Sequence, residues 1–149
     1  MSDTQKLKDF LEELIRLMKL DAEVNVEEAA GSVKAQIEGE DSAILIGKEG
    51  RTLESLQFIT SIALNKGRDE DRVRYVVDVG DYKERRIENI KDRAQGLAKE
   101  VSEKGEPISM EPMNSYERRA IHMTLRESTE VMTESQGEGP ERHIVIKPL

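Results

Sequence analysis

Two clusters in this chain combine residue types and spacings that suit chemistry. The first is Gly47-Lys48-Glu49-Gly50, set between a short apolar run, Ile44-Leu45-Ile46, and a helix-like pattern that restarts at Arg51. Two glycines three apart make a turn whose backbone can come close to another molecule, because neither end carries a Cβ. The first turn of the following helix is expected to leave N–H groups unpaired and pointing out of that same turn. Lys48 adds a mobile positive charge at the tip. The ligand that fits such a clamp is the phosphate backbone of unpaired RNA. The bland alternative is a tight helix–helix turn with no ligand. Two enzyme readings of the glycines fail on spacing: there is no G-x-x-x-x-G-K-[ST] phosphate loop and no G-x-G-x-x-G dinucleotide turn.

The second cluster is Arg118-Arg119-Ala120-Ile121-His122. Arg118 and His122, four apart on a helix, share one face about one turn from each other. At roughly 100° per residue, Arg118, His122, Arg126 and Arg119 occupy a sector of about 100°. Ile121 and Leu125 lie just beside that sector and are expected to face inward. An arginine fork can donate two parallel hydrogen bonds to phosphate. His122 can donate to phosphate or stack on a base. The competing reading is a solvated face whose arginines pair with Glu117 or Glu127, with His122 a packing or capping residue.

Composition argues against nucleic acid as a partner for the whole surface. With 23 basic and 31 acidic residues the net charge is −8, whereas nucleic-acid domains tend to be basic. Residues 1–79 hold 11 basic and 17 acidic side chains, and residues 80–149 hold 12 and 14. Binding would therefore depend on local gathering of the Lys and Arg residues. Aromatic stacking platforms are scarce, with two Phe, three Tyr and no Trp. That shortage favours a second class of function, a protein–protein interaction or dimerisation module. An enzyme is disfavoured: two histidines, no Cys and scattered carboxylates leave no acid–base or metal constellation. Hence no catalytic residue, metal or cofactor is expected. The absence of cysteine, of a long apolar segment and of a basic, apolar signal-like start predicts a cytoplasmic protein.

The elements that must position these clusters follow from periodicity. Residues 4–20 carry Leu7, Phe10, Leu11, Leu14, Ile15, Leu17 and Met18 at amphipathic-helix spacing, with Asp3 or Thr4 expected to cap it. Ala22, Val24 and Val26 alternate as one strand, and Val33, Ala35 and Ile37 as a second, joined as a hairpin through Ala30-Gly31-Ser32. Ser42 to Ile46 predicts a single helical turn. A longer helix follows from Arg51, with Leu53, Leu56, Ile59, Ile62 and Ala63 inward and Asn65-Lys66-Gly67 as its stop. Arg72 to Val79 predicts a third strand. Helices on one face of a three-stranded sheet result. The second half reads as a long helix over about 82–103, a short strand at Ile108-Ser109-Met110, a helix from a capping box at Asn114 to about Arg126, and two strands at 129–134 and 142–147. The fold class is therefore α+β, as two small units over 4–79 and 80–149. Each unit is small enough for its core to be marginal, so the two are expected to pack together or share the long helix.

The order helix, strand, strand, helical turn, G-x-x-G loop, helix, strand over residues 4–79 resembles a K-homology (KH) domain of the helix-first, prokaryotic type. The resemblance implies that the loop clamps the backbone of about four unpaired nucleotides, with Lys48 and Arg51 near phosphates. It also implies an apolar groove for bases, for which Ile44, Ile46 and Leu53 are candidates. Glu49 departs from a strongly basic clamp. Arg118-x-x-x-His122 likewise resembles the R-3-H domain, together with Ile108 to Met113 before the helix, Thr133 to Gly137 after it, and Arg142-His143-Ile144-Val145-Ile146. That likeness implies single-stranded nucleic-acid contact through Arg118 and His122, with Arg142 a further candidate. KH followed by R-3-H is similar to the SpoIIIJ-associated (Jag) proteins of bacteria. These usually carry a further N-terminal domain and linker that the 149 residues lack. The resemblance implies an RNA-binding regulator linked to cell elongation and division. Its implied partners are single-stranded RNA, or single-stranded DNA, and a small KH-only protein or a second copy.

Overall fold

The computed structural model describes residues Met1–Leu149, which divide into two compact units, Met1–Lys83 and Glu84–Leu149. In the first unit, helix α1 (Asp3–Leu17) buries Leu7, Leu11 and Ile15, a spacing of four that holds one face. Its cap is Ser2, one residue before the expected pair, whose side chain accepts from the Gln5 N–H. Strands β1 (Glu23–Ala29) and β2 (Ser32–Glu38) form the antiparallel hairpin. The turn is only Ala30-Gly31, both at positive φ, as a two-residue hairpin turn requires, so Ser32 joins β2. A 3-10 turn at Ser42–Leu45 and a second at Lys48–Gly50 lead into α2 (Arg51–Leu64), and β3 (Arg74–Val79) then pairs parallel with β2. The sheet order is β1-β2-β3, and Val24, Val33, Ala35, Ile37, Tyr75, Val77 and Val79 share one core with Leu7, Leu11, Leu53 and Leu56.

Helix α2 departs from the sequence expectation. Leu53, Leu56 and Thr60 are buried, whereas Ala63 is exposed and Ile59 and Ile62 are 54% and 53% exposed. Steps of three residues fall about 60° short of a full turn each time, so the series 53-56-59-62 rotates around the helix. By Ile62 it has reached the side opposite Leu53. The inward positions are instead taken by polar-looking residues. Gln57 donates from Nε2 to the Tyr75 carbonyl (2.6 Å) and accepts at Oε1 from the Val77 N–H (2.8 Å). Asn65 donates from Nδ2 to the Val73 carbonyl (2.9 Å) and accepts from the Val73 N–H (2.8 Å). Two side-chain amides thus satisfy the outer edge of β3, where a further strand would otherwise pair.

In the second unit, α3 (Tyr82–Lys104, starting just inside the first unit) buries Ile90, Ala94 and Val101. Strand β4 (Ile108–Ser109) is followed by α4 (Ser115–Leu125), β5 (Val131–Gln136) and β6 (His143–Pro148). The sheet is antiparallel in the order β4-β6-β5. The expected capping box is present: Asn114 Oδ1 accepts from the Glu117 N–H at 2.9 Å, and Glu117 accepts from the Asn114 N–H at 3.3 Å. Ile121 and Leu125 face the core with Met110, Met113, Val131, Ile144 and Ile146. Strand β5 starts two residues later than the alternation suggested. The Ser128 hydroxyl accepts from the N–H groups of Glu130 and Val131, which makes residues 128–130 a turn.

Candidate nucleic-acid interface

The glycine turn is built from the inside. Gly47 has φ 71° and ψ −170°, Glu49 φ 55° and Gly50 φ 79°. A Cβ on Gly47 would lie 2.1 Å from Thr52 Oγ1, and one on Gly50 would lie 2.7 Å from the Tyr82 ring. Both glycines are therefore required by neighbours within the unit, whatever binds outside. The Ile46 carbonyl accepts from the N–H groups of Thr52 (3.1 Å) and Leu53 (3.2 Å), and the Arg51 N–H bonds to the Lys48 carbonyl. The expectation of free amides at the start of α2 is thus overturned, because the turn folds its own carbonyls back over them. What remains accessible is the tip: Lys48, Glu49 and Arg51 are exposed and no carboxylate pairs with Lys48 or Arg51. Ile44 is 54% exposed beside it, and Ile46 is half-buried against the core. Leu53 is 2% exposed and belongs to the core, so it cannot line a groove.

In the second unit the Arg–His pair is held by β5. Arg118 donates from Nε to the Met113 carbonyl (3.2 Å) and from Nη1 to Ser135 Oγ (3.0 Å). His122 Nδ1 lies 2.7 Å from Thr133 Oγ1. The match has a simple metric origin. Four residues along a helix rise about 6 Å and two along a strand about 6.6 Å, so Arg118 and His122 register with Ser135 and Thr133. Sequence reading missed both hydroxyls, although their alternation within the strand was the available signal. Desolvation, and secondly the Arg118 guanidinium, hold the His122 imidazole below the usual histidine range. The pairing with Glu117 or Glu127 on which the competing reading depends does not occur. Glu117 is engaged by Arg86 at 3.3 Å and by the capping box, and no carboxylate forms an ion pair with Arg118, Arg119, Arg126 or Arg142. Arg119 and Arg126 are exposed. Arg142 is half-buried and donates to the Gly137 carbonyl at 2.6 Å, while its own carbonyl accepts from Met113 N–H. Met113 therefore ties Arg118 and Arg142 to one end of the sheet.

No group of three or more His, Asp or Glu side chains is arranged to hold a metal ion, and no helix is long and apolar enough to cross a membrane.

Residues 4–79 match the family model described as the KhpA/KhpB KH domain, and residues 88–148 match that of the R-3-H domain. The chain is 39% identical over 143 residues to a protein of Clostridium symbiosum named RNA-binding protein KhpB, an alignment covering 95% of this chain and 64% of that protein. It is 36% identical over 144 residues to RNA-binding protein KhpB of Bacillus subtilis (strain 168), covering 95% and 69% respectively. A relative of the same name in Streptococcus pneumoniae serotype 2 is 30% identical over 138 residues, 92% of this chain and 42% of its own length. The chain spans about two thirds of the first two relatives and less than half of the third. With its G-x-x-G turn in a KhpA/KhpB-type KH unit and its Arg118–His122 pair in an R-3-H unit, this chain belongs to the KhpB family, the Jag-type proteins.

Proposed function

We propose that this protein is a non-catalytic, single-stranded RNA-binding regulator of the bacterial cytoplasm, acting, as the Jag resemblance implies, in cell elongation and division. The observation that carries the reading is the Arg118–His122 face: a guanidinium and an imidazole held by strand hydroxyls and a carbonyl rather than by carboxylates. The Arg118 guanidinium, held without an anion, keeps its charge available to phosphate, and the His122 imidazole beside it can donate a hydrogen bond. Relatives named RNA-binding protein KhpB support the same ligand. In this reading Arg119, Arg126 and Arg142 extend the second contact surface. Lys48 and Arg51 meet phosphates at Gly47–Gly50, and Ile44 and Ile46 meet bases beside them. Glu49 moderates the charge of the turn.

The test is fluorescence anisotropy with a labelled oligouridine. Arg118→Ala with His122→Ala weakens binding about 10- to 100-fold, the size of one or two lost charge-assisted hydrogen bonds. Lys48→Asp with Glu49→Asp removes the contribution of the turn. It keeps the fold, since Asp tolerates the left-handed conformation found at Glu49. Full affinity in both variants returns these residues to a solvated surface. A second reading, an interaction module, is favoured by one feature of α2: Phe58, Ile59 and Ile62 are 65%, 54% and 53% exposed. Such a face suits a small KH-only protein or a second copy, and it is compatible with RNA binding elsewhere.

A further inference from the structure

Gly50 is buried, although Glu49 and Arg51 on either side of it are exposed. What lies against it is Tyr82, the first residue of α3. A Cβ on Gly50 would stand 2.7 Å from Tyr82 Cε1, 3.1 Å from the hydroxyl oxygen and 3.2 Å from Cζ. The hydroxyl-bearing edge of the ring therefore rests on the bare backbone of the turn. Thr52, which makes the corresponding demand on Gly47, belongs to the turn's own helix. Tyr82 comes from a different element, so it can hold the turn against the rest of the unit. Tyr82 is itself firmly seated, with its ring packed on the core of the first unit. Gly80 and Asp81, at φ 51° and 56°, swing the chain from β3 into α3. The Gly80 N–H donates to the Ile37 carbonyl at 3.0 Å. Gln36 of β2 donates from Nε2 to Asp81 Oδ1 (3.0 Å) and accepts from the Asp81 N–H (3.1 Å). Asp78, buried in β3, accepts at Oδ1 from the N–H groups of Val79 (2.8 Å) and Lys83 (3.3 Å), which satisfies an amide in the first turn of α3.

The turn needs such a support. Glu49 (φ 55°, ψ 27°) and Gly50 (φ 79°, ψ 10°) are two consecutive left-handed residues, and the first is not a glycine. An L-residue keeps that conformation only where its surroundings impose it. Lys48 and Arg51 flank the left-handed pair, so the direction of both cations depends on it. We infer that Tyr82 is a positioning residue for the Gly47–Gly50 turn. Its ring braces Gly50 from within, fixes the left-handed pair, and ties the direction of Lys48 and Arg51 to the start of α3. The consequence for RNA, though not the brace itself, rests on the reading of the turn given above. Coupling of this kind is reciprocal, so a strand held at the turn is felt in the first turn of α3.

The experiment uses the full chain with Tyr82→Leu, which keeps apolar bulk without the ring, and Tyr82→Phe, which keeps the ring. Backbone NMR shifts report the left-handed state of Glu49 in the ligand-free protein. They are retained in Tyr82→Phe and lost in Tyr82→Leu, with circular dichroism unchanged in both. Affinity for labelled oligouridine falls about three- to tenfold in Tyr82→Leu, up to the size of one charge-assisted hydrogen bond. Lys48→Ala then adds no further loss in the Tyr82→Leu background, whereas Arg118→Ala with His122→Ala costs the same factor in both backgrounds. Non-additivity confined to the turn is a signature that a general loosening of the fold does not produce. Glu49 shifts that stay left-handed in Tyr82→Leu, or a Lys48→Ala loss equal in both backgrounds, overturn the brace. If Tyr82→Leu does not fold, Gly50→Ala decides: displaced signals of the Tyr82 ring and the Lys83 amide sustain the contact, and unmoved signals overturn it. If the unsubstituted protein binds no oligouridine, or binds it without help from Lys48, the reading of the turn fails on its own. The Glu49 shifts then decide the brace alone.

Discussion

His122 shows how a residue's role is set by what holds it. Its Nδ1 is taken by Thr133 Oγ1 at 2.7 Å, so Nε2 is the nitrogen left to meet a ligand. Desolvation and then Arg118 lower its pKa, so the folded protein prefers the neutral ring. The sign of the linkage follows: this preference stabilises the fold above about pH 6.5, the ordinary histidine value, and is lost as pH falls through the lower folded-state value. Bound phosphate acts in the opposite sense, because it favours the imidazolium. RNA binding therefore takes up a proton and tightens as pH falls from about 8 to about 6. An NMR titration checks the residue directly. The His122 midpoint lies below the ordinary histidine value, rises in Arg118→Ala, and rises when oligouridine is added. A midpoint indifferent to oligouridine removes the ring from the contact surface. At the same scale, Gly47 and Gly50 answer to Thr52 and Tyr82 rather than to a ligand.

At the scale of elements, α2 carries three duties on three sides. Leu53, Leu56 and Thr60 face the core, Gln57 and Asn65 seal the edge of β3, and Phe58, Ile59 and Ile62 face outward. Asn65 is 3% exposed and also donates to the Ser61 carbonyl at 3.0 Å, so it locks the helix end as well as the strand. Asn65→Leu leaves the Val73 N–H and carbonyl without their partner and costs roughly 2–3 kcal/mol. Hydrogen exchange at Tyr75 and Val77 is the measurement, since local opening of β3 accelerates it. Protection equal to the unsubstituted protein removes Asn65 from the edge. In the second unit the register of α4 on β5 plays the matching part, presenting Arg118 and His122 together.

For the whole molecule, a net charge of −8 means that long-range attraction to the proposed RNA ligand is weak and that affinity for it would depend on local contacts. Salt dependence then counts those contacts at about 0.7 per phosphate for a single strand. Removing Arg118 and His122 together makes the slope shallower by about 0.7 to 1.4. The apolar face of α2 adds a property the charge does not. If the α2 face is the association surface proposed above, Phe58→Glu abolishes self-association, or association with a KH-only partner, in light scattering at micromolar concentration, while circular dichroism is unchanged. Oligomeric state untouched by Phe58→Glu assigns that face no partner.

Order and kind of element were legible from residues alone, because alternation and helical spacing are local properties: the β1–β2 hairpin, the Asn114 capping box and the α4 stripe all follow from neighbours in the chain. The Gly47–Gly50 and Arg118–His122 motifs were legible for the same reason. Partners distant in sequence were not. Gln57 meets Val77 twenty residues on, His122 meets Thr133 eleven residues on, and Gly50 lies under Tyr82. A polar side chain reads as exposed until the chain shows a backbone edge for it to satisfy, which is why Gln57 and Asn65 displaced Ile59 and Ile62 from the inner side of α2. Residue types alone specified the two motifs. Packing across the chain decided which atoms of each motif remain open to a phosphate.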